Sequence, residues 1–121
     1  MFLRKCSVAA MFALVLGSVV YSDQPTLSVQ QQAHLVLFGV EVTVVVTCPG
    51  STSFEVNVGV RQGDMVGQSG GVNFMSDGTR QVVPVLVPGV FSTGFADATA
   101  ALACSTLLEG ASFGQSIKIT Q

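Results

Sequence analysis

The sequence predicts an all-β fold, an antiparallel β-sandwich of about seven short strands. Three observations carry that expectation. Apolar and polar residues alternate with period two in one stretch after another, and Gly, Pro, Ser, Thr and Asp recur in the gaps between them. No stretch shows a convincing helical period. The 121 residues, 49% hydrophobic and 10% charged, suffice for one small domain with a real core and exclude a disordered chain.

The elements follow in order. Leu27 and Val29 alternate with Ser28 and Gln30 in a short first strand, and the run Gln30-Gln31-Gln32 reads as a solvated connection. Residues 38–48 alternate most clearly. Phe38, Val40, Val42, Val44, Val46 and Cys48 fall on one face, and Glu41, Thr43 and Thr47 on the other, so one face is core and one is wet. After a loop at 49–53, residues 54–62 set Phe54, Val56, Val58 and Val60 against Glu55, Asn57, Gly59 and Arg61. Residues 63–71 read as a Gly-rich loop, 72–75 as a short strand, and 76–79 as a tight turn in which Asp77-Gly78 supplies the positive φ. A strand follows at 81–87; Pro84 has no amide donor, so its position must face an edge or a bulge. Residues 96–104 are Ala-rich, which favours helix by propensity, but Ala96, Ala98, Ala100, Leu102 and Cys104 fall on one face of a strand, and strand is the reading taken. Residues 105–115 read as loop or a short turn of helix, and Ile117 and Ile119 flank Lys118 in a last strand.

Seven strands in about 100 residues fit an immunoglobulin-like arrangement. The Trp typical of antibody-type domains is absent, and Leu102 stands where their Tyr would precede the second Cys. In such a sandwich the strands at 38–48 and 96–104 lie in opposite layers and run the same way. Cys48 and Cys104 end them on their core-facing sides, so they should meet across the core. Two free buried thiols are the other reading.

Residues 1–22 read as a secretory signal peptide, leaving a domain at 23–121. Arg4 and Lys5 precede an uncharged, mostly apolar run over 7–20, and Val20-Tyr21-Ser22 offers a cleavage site. The run is shorter than the ~20 residues that span a bilayer, so no membrane span is expected after cleavage. Beyond residue 22 the chain has three basic residues (Arg61, Arg80, Lys118) against seven acids, a formal charge of −4, which argues against nucleic acid as a partner. Two cysteines in an exported domain favour a disulfide over a metal or redox site.

Between residues 44 and 104, Thr47-Cys48-Pro49, Val60-Arg61-Gln62, Asp77-Gly78 with Gln81, and Phe91 and Gly94 before the Ala-rich strand ending in Cys104 form a pattern that resembles a group of small exported actinobacterial proteins. The resemblance covers about half the chain and implies an exported β-sandwich but no activity. Those proteins commonly carry a further Cys before the Asp-Gly and another after the Ala-rich strand; here Met75-Ser76 and residues 105–115 hold none.

No constellation for catalysis is legible. His34 is the sole imidazole, and Glu41 and Glu55 fall on strands of different layers. No calcium loop, zinc set or phosphate loop is present, and no cofactor is expected. The expectation is therefore a non-enzymatic, secreted module that presents a surface to an unknown protein or envelope component. The alternative is a carrier that holds a small apolar ligand among Phe38, Phe54, Phe74, Phe91, Phe95 and Phe113. The candidate contact lies where the connections 49–53, 76–79 and 105–115 gather, with Leu107, Leu108 and Phe113 as apolar contacts and Asp77 and Glu109 as polar ones.

Overall fold

The structure, a computed structural model, describes residues 24–105 and 110–121. The leader expected at 1–22 lies outside the described residues. These contain nine strands and no helix: β1 (Thr26–Val29), β2 (Gln32–Val36), β3 (Gly39–Thr47), β4 (Ser53–Gln62), β5 (Met65–Gln68), β6 (Val72–Met75), β7 (Arg80–Pro88), β8 (Gly94–Cys104) and β9 (Gly110–Thr120).

The fold is an antiparallel sandwich with one parallel joint. In one layer β3 is central, with β1 and β2 along one side and β7 along the other. In the second, β8 lies between β4 and β9, and β5 and β6 line the outer side of β4. Parallel pairing of β2 with β9, His34 opposite Thr120, links the layers. Alternation then decides the interior. Val40, Val42, Val44 and Val46 of β3 face Val56, Val58 and Val60 of β4, with Val85, Val87, Ile117 and Ile119 closing the same core. The strand reading of the Ala-rich segment holds: Ala96, Ala98, Ala100 and Leu102 are buried and alternate with exposed residues. Helix propensity, worth tenths of a kcal/mol per residue, yields here to the burial of a whole strand face.

Cys48 and Cys104 are joined in a buried disulfide, with Cα atoms 5.7 Å apart. It bridges the layers at the end where β3 and β8 finish. In the chain-entropy model, closing a sequence separation of 56 stabilises by ~4 kcal/mol.

Nine strands replace the seven expected. β2 overlaps the expected connection at Gln32 and otherwise lies on residues assigned to no strand, β5 occupies a stretch read as loop, and β9 begins at Gly110, well before Ile117. Phe38 is not the first core residue of a strand. β2 and β3 form a hairpin with Val36 opposite Gly39, which leaves Leu37-Phe38 as its two-residue turn.

The sheet edges are blunted. β7 pairs only with β3, as the proline argument requires. The Gly89 amide bonds the Phe38 carbonyl, and carrying that register along the ladder turns the backbone nitrogens of Pro84 and Pro88 to the open edge, so two outward donors are missing. β5 and β6 amount to one edge strand interrupted by a bulge. At the bulge the Ser69 amide bonds the Val58 carbonyl at 2.8 Å, and the Ser69 hydroxyl accepts from the Val58 amide at 2.9 Å.

Candidate functional site

The two ends of the sandwich differ. At the disulfide end, polar groups are occupied with one another. The Asp77 carboxylate accepts from the Thr79 amide at 2.8 Å and from the Thr79 hydroxyl at 2.7 Å. Those bonds, the hydroxyl's first, hold its pKa below the ordinary aspartate value. Gln81 accepts from the Asp77 amide and donates to the Met75 carbonyl. The Ser76 amide bonds the Thr52 carbonyl, and the Ser105 amide bonds the Ser53 carbonyl. Of the connections expected to gather here, 49–53 and 76–79 do so with Ser105 beside them; 106–109 lie outside the described residues and 110–115 belong to β9.

Of the residues assigned to a contact at this end, Asp77 serves its own turn. Leu107, Leu108 and Glu109 lie outside the described residues. Phe113 is not a loop residue: it sits in β9 opposite Ala100 and packs half-buried against the core.

The opposite end is apolar and exposed. Leu37 is 81% exposed, Phe38 80% and Val90 80%. They belong to the β2–β3 turn and the β7–β8 connection, which the Gly89–Phe38 bond ties together at 3.0 Å. Between them lies a cleft of about 290 Å³, flanked by Leu35 and Val36 on one side and Phe91 on the other. Gln62 braces the connection: its side chain donates to the Ser92 carbonyl at 2.8 Å and accepts from the Ser92 amide at 2.9 Å. Phe95, 74% exposed, follows on the outer side of β8.

Phe38 is the decisive residue. Its φ is 67°, the one positive value at a non-Gly residue among those described. A positive φ at the second central position but not the first is the pattern of a type II turn, where Gly or Asn is usual. For a residue with a Cβ this conformation costs roughly 1–2 kcal/mol. Packing does not compensate, because the ring stands in solvent. Leaving a side chain of this size exposed also forgoes roughly 1.5–3 kcal/mol of burial. Neither packing nor burial of the ring offsets the strain at this position.

Neither a family model nor a curated protein matches the chain.

Other features weigh less. A shallow groove of about 370 Å³ crosses the outer face of β4, β5 and β8 near Gly59, lined by Arg61, Gln68, Asp97 and Thr99. Among the described residues, no three of His, Cys, Asp and Glu come together as a metal would need. Glu41 and Glu55 lie on strands that do not pair, and His34 stands exposed opposite Glu41. The phenylalanines expected to share a ligand cavity do not converge. Phe54 and Phe74 stack at 5.4 Å, Phe91 is buried near the cleft, and Phe38 and Phe95 face solvent.

Proposed function

We propose that the protein is a secreted, non-enzymatic interaction module with an immunoglobulin-like arrangement, and that it works through its apolar end. The single observation that carries this is Phe38, held at φ 67° and 80% exposed. The buried Cys48–Cys104 disulfide supports an oxidising, extracellular setting. The partition of β1, β2, β3 and β7 from β4, β8 and β9 supports the immunoglobulin-like reading. The carrier reading has the 290 Å³ cleft in its favour, but that lies at the bottom of the usual range for ligand sites, roughly 300–1,000 Å³.

The test is a photo-crosslinking residue, p-benzoylphenylalanine, placed at Phe38 and separately at Met75, an exposed side chain at the other end. Irradiation of cells making the protein should give an adduct from position 38 and little from position 75. No adduct at 38, or equal capture at both positions, would overturn the assignment.

A further inference from the structure

We propose that the partner of the apolar end is the interface of an uncharged or zwitterionic phospholipid bilayer, into which Leu37, Phe38 and Val90 insert. The inference rests on the interaction-module reading and names its partner. Three observations favour a bilayer over a folded partner. First, the side chains stand about four-fifths exposed on two turn tips. A rigid partner would need a matching cavity for each, whereas a fluid interface accepts them as they are.

Second, residues 35–40 and 84–96, which supply both tips, contain no charged side chain. Third, charges of both signs begin a short way behind. Glu41 lies three residues beyond Phe38, opposite His34; Lys118 lies opposite Phe95; Arg61 and Asp97 face each other two residues further on. At roughly 3.3 Å per strand residue, the front of this belt, Glu41, sits about 10 Å behind Phe38 along β3, and Lys118, beside Gln32, lies further back. An amphipathic surface element that lies in the interface buries its apolar face about 5–10 Å deep, so the belt would meet the headgroups. Asp64, in the β4–β5 turn, is the remaining charge at this end among the described residues. Being negative, with an excess of acids in the domain, it disfavours anionic lipid and selects a neutral surface.

The chain has no Trp, so Leu37→Trp places a single reporter at the tip and Met75→Trp a control at the other end. With phosphatidylcholine vesicles, emission from position 37 should shift to the blue and be quenched by brominated acyl chains, while position 75 stays unchanged. The unmodified protein should float with the same vesicles, with little dependence on salt. Phe38→Ser is expected to lower the partition coefficient roughly ten- to a hundred-fold, the worth of withdrawing one large apolar side chain. Phe38→Gly, which suits the turn, repeats that loss without strain. No shift and no flotation would overturn the bilayer proposal, as would binding confined to anionic vesicles and lost in salt. A protein adduct at position 38 without vesicle binding would leave the interaction module standing and remove the bilayer, and an adduct between two copies would do the same. No adduct of any kind would remove both.

Discussion

The two ends of this sandwich are built on opposite terms. At the disulfide end a covalent bond joins the layers, and the turns satisfy their own polar groups through Ser76, Asp77, Thr79 and Gln81. At the other end Gln62 is the chief brace, and Phe38 stands in a strained turn with its ring in water. The comparison teaches that stability and presentation are separated along one axis. Among the described residues, the covalent link and the polar turn bonds gather at one end, and Leu37, Phe38 and Val90 stand exposed at the other.

Breaking the closed end should have the largest effect. Replacing both cysteines, Cys48→Ser with Cys104→Ser, is expected to lower unfolding free energy by about 4 kcal/mol in urea titration. Alkylation of the native protein without reduction should label neither Cys48 nor Cys104. Next comes the seam where the layers approach behind the open end. A Cβ on Gly67 of β5 would run into the Pro88 carbonyl of β7 and touch the Phe91 ring. Gly67→Ala is expected to destabilise by about 1–3 kcal/mol, the cost of overpacking, read as a fall in thermal midpoint.

The open end should respond with the opposite sign. Phe38→Gly relieves the left-handed strain, against a glycine penalty in the unfolded chain, and is expected to stabilise by about 0.5–1 kcal/mol in the same titration. A variant that is more stable and no longer binds would show the separation directly. A destabilised one would show that the ring supports the fold.

The smallest effect sharpens the closed end. The pKa of Asp77 is lowered by the Thr79 bonds, so its contribution is present above the ordinary aspartate value and lost as pH falls through the lowered one. The thermal-midpoint difference between the protein and Asp77→Ala should be small at neutral pH and vanish in that acid window.

How much of this was legible in the sequence varies by element. β3 and β4 were plain because valines alternate with charged or hydroxyl residues over a whole strand. β9 was half legible: Ala111, Phe113, Gln115, Ile117 and Ile119 do alternate inward, but the intervening Gly and Ser resembled loop composition. The apolar end was missed because its turn carries no turn chemistry. Leu37-Phe38 has neither Gly nor Asn, and Phe38 continues the period of Val40, Val42 and Val44 in register. Pattern therefore assigned it to the core, and only the pairing of Val36 with Gly39 puts it at the tip. The same bias placed the contact at the other end, around Asp77, whose carboxylate is taken up by Thr79.

The link between Cys48 and Cys104 also decides how the domain carries tension. A pull along the chain, from β1 toward β9, passes through β3, crosses the core by the disulfide at the very end of β8 and leaves through β9. Residues 49–103, which hold β4 to β7 and all of β8 but its last residue, lie off that covalent path and cannot be drawn out while the disulfide holds. Only the segments before Cys48 and after Cys104 can lengthen, at roughly 3.3–3.6 Å per residue. Val90 and the β7–β8 connection lie inside the shielded loop, while Leu37 and Phe38 lie on the loaded strand pair. Force would therefore dismantle one half of the apolar tip while sparing the other.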